Sequence, residues 1–139
     1  MSLNLEKGKR MNNRLFVYGI LKRGYELDLS HYGAKFLQEA TLNSAVLYGI
    51  GRRWDHEGHP NDGREYSGVG LRFTANLEDK VHGELWEIPE KLWPWLDQIE
   101  NNGITYTRKL VDDEFASAWV YEHTYRHFPQ ENVIKNGRF

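Results

Sequence analysis

The 139-residue sequence contains no cysteine. That excludes disulfides, thiolate nucleophiles and cysteine-ligated zinc, and suits a reducing cytoplasm. Charge of one sign is also missing: 18 Lys and Arg stand against 20 Asp and Glu, for a net charge of −2. No strong field invites a nucleic acid or an anionic surface. No apolar run approaches the roughly 20 residues that cross a bilayer. Residues 1–14 lack the apolar core of a secretory signal and read as a polar extension. Repeats and low-complexity tracts are absent as well. What remains is one domain's worth of chain, residues 15–139, expected to be cytoplasmic, with 40% hydrophobic and 14% aromatic residues to build a core.

Within that domain the run Leu15-Phe16-Val17-Tyr18-Gly19-Ile20-Leu21-Lys22-Arg23-Gly24 carries an apolar strand into a glycine-bracketed basic turn. Such a turn can present converging backbone N–H groups to a carboxylate or phosphate, or it can be an ordinary connection. A short helix fits near Leu27, Leu29 and Tyr32. Ala34 to Ile50 suits two strands or one bent strand, with the break at Thr41-Leu42-Asn43-Ser44. From Gly51 to Gly70, five glycines and one proline among many charges read as a long surface loop.

The second half is more regular. Val81 to Ile88 alternates so that His82, Glu84, Trp86 and Ile88 share one face of a strand. Pro89 suits a first helical turn, and Leu92, Leu96 and Ile99 follow at helical spacing. Proline is scarce, four residues in all, and Pro94 means that this helix is kinked or starts near Trp93. Asn101-Asn102-Gly103 ends it, because these residues tolerate the left-handed backbone of helix stops. Two strands follow, Thr105 to Val111 and Ala116 to Tyr125, joined by the acidic turn Asp112-Asp113-Glu114.

Glu100, in the last helical turn, lies roughly 80° to 100° from the apolar stripe, at the boundary of core and solvent. Two readings stand side by side. It is a solvated helix-end acid, or burial and the negative end of the helix dipole raise its pKa toward the range useful for proton transfer. Other arrangements carry less. Asp55 to Asp62 holds ligand-type residues without a zinc or calcium spacing, so no metal is expected. Ser30-His31 has no accompanying oxyanion motif. The tryptophans lack interleaved basic residues, which favours packing or pocket lining over base stacking. His123 and His127 read as structural.

Phe16-Val17-Tyr18-Gly19-Ile20-Leu21, Val81-His82-Gly83-Glu84-Leu85-Trp86, Leu96-Asp97-Gln98-Ile99-Glu100 and Tyr106-Thr107-Arg108 occur in an order and spacing that resemble the gamma-glutamylcyclotransferase-like superfamily, in particular its gamma-glutamylamine branch. Ala118-Trp119-Val120-Tyr121 and the closing Ile134 to Phe139 extend the resemblance over nearly the whole domain. It implies an α+β fold, a small mixed β-barrel flanked by short helices. It also implies a cofactor-independent enzyme that cyclises a gamma-glutamyl group to 5-oxoproline and releases an amine or amino acid. Glu100 would be the catalytic acid/base, and Tyr18, Gly19, Ile20, Leu21, Glu84 and Tyr106 would bind substrate, with no metal or cofactor. A related amide-cleaving or acyl-transfer enzyme, or a non-catalytic module for a small carboxylated ligand, are the alternatives. Ile20 replaces the family's usual Ser or Thr, Asn101 its commoner glycine, and Arg52, Arg53, Trp54 and Arg64 sit in an atypical loop.

Overall fold

The computed structural model describes residues 13–53, 65–112 and 117–139. The strands are β1 (Arg14–Val17), β2 (Lys35–Asn43), β3 (Ala45–Arg53), β4 (Tyr66–Phe73), β5 (Lys80–Glu87), β6 (Tyr106–Asp112) and β7 (Ser117–His123), with one α-helix, α1 (Trp93–Ile99). Short 3-10 turns occupy Leu29–Tyr32, Glu90–Leu92 and Gln130–Asn132. Five strands form a sheet in the order β2-β5-β1-β7-β6, and β3 and β4 form a separate hairpin. Only the β1–β7 pairing is parallel among these ladders. The extension read over residues 1–14 lies almost wholly outside the described residues, as do the Asp55–Asp62 run and most of the acidic turn after Asp112.

Strand alternation sets the two cores. Leu15 and Val17 of β1, Trp86 of β5 and Tyr121 of β7 face α1 and pack with Leu96, Ile88 and Leu29. Phe16, Tyr18, Val81, Leu85 and Val120 face the other way, onto Leu47, Val69 and Leu71 of the hairpin. β1 is therefore buried on both faces and paired on both edges, which its unbroken apolar sequence requires. Trp86 is fully buried, Trp95 stacks on Tyr32, and Trp93 and Trp119 both lie against Arg108. The described tryptophans thus serve packing.

The expected α+β arrangement is the one observed, with a barrel left open: among the described residues no ladder joins β4 to β7. Side chains close that seam instead. Leu71 N–H donates to Tyr18 Oη at 3.3 Å and Phe73 N–H to Glu122 Oε2 at 2.9 Å, while Arg72 donates to the His123 carbonyl. Alternate amides of a strand edge, which would otherwise be orphaned, are satisfied this way.

Two sequence expectations change, and one open alternative is decided. The break after β2 is a single residue, Ser44, at φ 58°. α1 starts at Trp93 behind the 3-10 turn, so Pro94 falls in the first helical turn, where its missing N–H costs nothing. The Gly51–Gly70 stretch is not all loop, since β3 runs to Arg53 and β4 resumes at Tyr66. Gly68 and Gly70 are strand residues, and at Gly70 a Cβ would stand 2.9 Å from that of His123. That glycine marks a close approach of strands rather than a turn.

Candidate active site

β1 ends at Val17 because its chain then turns sharply across the sheet end, and the turn's hydrogen bonds orient its peptides. The carbonyl of Gly19 accepts from Lys22 N–H at 3.1 Å, that of Ile20 from Leu27 N–H at 2.9 Å, and that of Leu21 from Leu29 N–H at 3.3 Å. In a trans peptide the N–H points opposite the preceding carbonyl. The Ile20 and Leu21 N–H groups are therefore turned away from the body of the loop. Among the described residues, the N–H groups of Gly19, Ile20 and Leu21 find no acceptor. Buried amides left this way call for a ligand or solvent.

All three residues border a cavity of about 250 Å³ whose wall also includes Tyr18, Ile50, Val69, Glu100, Tyr106 and Tyr121. Glu100 is the C-cap of α1; its N–H donates to the Leu96 carbonyl at 3.0 Å, and Asn101 follows at φ 52°. The helix therefore stops just as its boundary residue reaches the cavity. No described side chain donates a hydrogen bond or salt bridge to the Glu100 carboxyl. Burial pushes its pKa from 4.5 up to about 7. Of the two readings of Glu100, the desolvated one describes this structure.

Tyr18 is buried and donates to the Tyr121 carbonyl at 2.5 Å, and Tyr106 donates to the Val69 carbonyl at 2.9 Å. Burial first, and then the Glu100 charge among other groups, raises both phenols above their ordinary pKa, so they stay neutral. Ile20 adds an apolar side chain to the cavity wall.

Glu84 stands apart from the cavity wall. Its Oε1 accepts from Arg23 N–H and Trp86 Nε1–H, both at 3.0 Å, and its Oε2 from Arg23 Nε at 3.2 Å. It holds the far end of the turn rather than facing the cavity. Lys22 and Arg23 also point away: Lys22 Nζ donates to the Phe139 carbonyl at 2.9 Å, and the Arg23 guanidinium lies 3.6 Å over the Phe36 ring. Ser30 Oγ donates to Asp28 Oδ1 at 2.7 Å, a local turn contact.

Sequence reading did not single out Tyr121, which lines the cavity and donates to Asp97 Oδ1 at 2.6 Å. The signal was present in the alternation of β7, which places Trp119 and Tyr121 on one face, and in Asp97 lying one helical turn before Glu100. Ile99, expected in the buried stripe, is 38% exposed and lies at the cavity instead.

Backbone N–H groups without acceptors among the described residues and one desolvated carboxyl thus line the same small cavity. The sequence model of the family described as "Gamma-glutamyl cyclotransferase, AIG2-like" matches residues 15–139, and the chain belongs to that family. It is 28% identical over 110 residues to the gamma-glutamylcyclotransferase family protein YtfP of Escherichia coli K12, covering 78% of this chain and 80% of that protein. Among solved structures it resembles an uncharacterized protein from Pyrococcus horikoshii, with TM-score 0.66, 25% identity and coverage of 91% and 88% of the two chains. An AIG2-like protein from Mus musculus shares the fold, with TM-score 0.58 at 22% identity over 91% and 94% of the chains. No helix among the described residues is long and apolar enough to cross a membrane.

Proposed function

We propose that this chain is a cyclotransferase-type enzyme that converts a gamma-glutamyl amine or peptide into 5-oxoproline and the free amine. The observation that carries the reading is the pairing of three unpartnered N–H groups, at Gly19, Ile20 and Leu21, with the half-buried Glu100 carboxyl across one cavity. The amides receive the substrate α-carboxylate as fixed dipoles that need no reorganisation. This leaves the α-amino group near Glu100. A carboxyl with a pKa of about 7 takes a proton from that nitrogen as the nitrogen attacks the substrate's own γ-carbonyl carbon.

The tetrahedral adduct then collapses. The γ-C–N bond to the leaving amine breaks, and Glu100 returns the proton to the departing nitrogen. Atoms balance without water, metal or redox cofactor, and orientation in the cavity supplies much of the rate by making the attack intramolecular. The apolar surroundings that raise the Glu100 pKa also keep water from the reacting carbonyl.

The test is a panel of gamma-glutamyl amines and peptides assayed for 5-oxoproline, with Glu100→Gln as control. Product from the wild type and a loss of about 10³-fold or more in kcat for Glu100→Gln is the expected result. Unchanged release by Glu100→Gln would sink the mechanism. Ligand binding without turnover by the wild type would favour a carboxylate-binding module.

A further inference from the structure

Three tyrosines border the cavity, and each has its single hydroxyl proton committed to the protein: Tyr18 to the Tyr121 carbonyl, Tyr106 to the Val69 carbonyl and Tyr121 to the Asp97 carboxylate. A phenol so engaged can only accept a further hydrogen bond. Tyr18 already accepts from Leu71 N–H, whereas no described group donates to the hydroxyl oxygens of Tyr106 and Tyr121. The cavity is therefore divided by polarity, with backbone donors at Gly19 to Leu21 and oxygen acceptors around Glu100.

Tyr121 differs from Tyr106 in having a built support. Asp97 accepts its proton at 2.6 Å through Oδ1 and meets Arg108 Nη2 at 3.5 Å through Oδ2. Arg108 is in turn held between the rings of Trp93 and Trp119, at 4.6 and 5.0 Å from their centroids. The Asp97 charge, fixed by Arg108, keeps the Tyr121 proton pointed at Asp97. Burial foremost, and then the Asp97 hydrogen bond and charge, raise the Tyr121 pKa against the opposing effect of Arg108. The hydroxyl stays protonated across the working range.

We propose that Tyr121, oriented by Asp97 and Arg108, is a substrate-positioning residue whose oxygen accepts a hydrogen bond from the α-ammonium of the bound ligand beside Glu100. This rests on reading the cavity as a gamma-glutamyl site, and it explains why an acceptor-only phenol would be maintained there. A cationic nitrogen brings three donors, of which Glu100 takes one, so further acceptors without protons of their own improve the match. An Asp97→Asn amide can instead donate to Tyr121, freeing the phenol proton to point at the ligand cation.

The experiment measures equilibrium binding of a gamma-glutamyl alkylamide and of its desamino analogue, the matching glutaric acid monoamide, to wild type, Tyr121→Phe and Asp97→Asn. Wild type is expected to prefer the amino compound. Both variants should lose roughly tenfold or more of the affinity for it, the scale of a hydrogen bond to a charged group. Affinity for the desamino analogue should stay within about twofold, which a purely structural role for Tyr121 would not produce. Equal losses for both ligands, or no loss for either, overturn the proposal, and so does a wild type that binds neither.

Product assays on the same samples separate this inference from the functional reading. Preserved discrimination without 5-oxoproline removes the cyclotransferase reading and leaves the role of Tyr121. Turnover with KM unchanged in Tyr121→Phe removes that role and leaves the reading.

Discussion

Glu100 is a carboxyl that the fold places among apolar side chains and phenols, with no cation among the described residues to stabilise its charge. Its folded pKa of about 7 lies above the ordinary 4.5, so the protonated form favours the native state. The stabilisation is complete below pH 4.5 and is lost as pH rises through about 7. Glu100→Gln, which is never charged, should therefore match wild type near pH 4 and exceed it at pH 8, by at most about 3 kcal/mol. Urea denaturation at the two pH values checks this; equal stabilities at pH 8 would mean a solvated carboxylate. The boundary position of Glu100 was legible from its angle to the apolar stripe. The depth of its desolvation was not, because Tyr18 comes from the turn after β1 and Tyr106 and Tyr121 from β6 and β7.

Among the elements, β5 and the turn after β1 form one unit. Gly83 lets the strands approach, since a Cβ there would stand 2.3 Å from the Val17 carbonyl oxygen. Its neighbour Glu84 ties Arg23 and Trp86 to the turn. Glu84→Ala leaves the buried Trp86 indole N–H and the part-buried Arg23 N–H unpaired, at a cost of about 2 to 3 kcal/mol. The same variant should weaken binding of a carboxylate ligand although Glu84 lies outside the cavity wall, because the peptide planes at Gly19 to Leu21 lose their far anchor. Thermal unfolding and ligand titration on folded protein check the two parts. Unchanged affinity would show that the internal hydrogen bonds of the turn suffice. Alternation correctly placed Glu84 with Trp86 and Ile88 on one face. It could not show that Arg23, 61 residues earlier in the chain, would claim the carboxylate.

Over the whole molecule, the open barrel depends on Glu122 at the seam between hairpin and sheet. Burial would raise its pKa, but Lys109 Nζ at 2.5 Å, the Phe73 N–H and Arg72 outweigh burial and hold it below the ordinary value. The stabilisation is thus present above about pH 4.5 and is lost as pH falls through the lowered folded value. Glu122→Gln is expected to lose roughly 1 to 3 kcal/mol at pH 7 and to converge with wild type in strong acid, as measured by denaturation at both ends. A pH-independent difference would assign the loss to packing. The glycines at 68 and 70 look like loop punctuation in the sequence, yet Gly68 lies against the Ile50 side chain and Gly70 beside His123. Punctuation and close packing use the same residue, and only the strand neighbours distinguish them.

The sequence by itself determined the features that depend on neighbours a few residues apart. These are the apolar β1 and its glycine turn, the alternation of β5, the helix stop at Asn101 to Gly103 and a carboxyl on the boundary face of α1. Only the tertiary structure decided that the Gly19 to Leu21 amides and Glu100 share one cavity, that Glu84 supports the turn from behind, and that Tyr121 completes the wall. Those outcomes follow from the strand order β2-β5-β1-β7-β6. Pairing between distant segments is set by the packing of the whole core, and no local pattern encodes it.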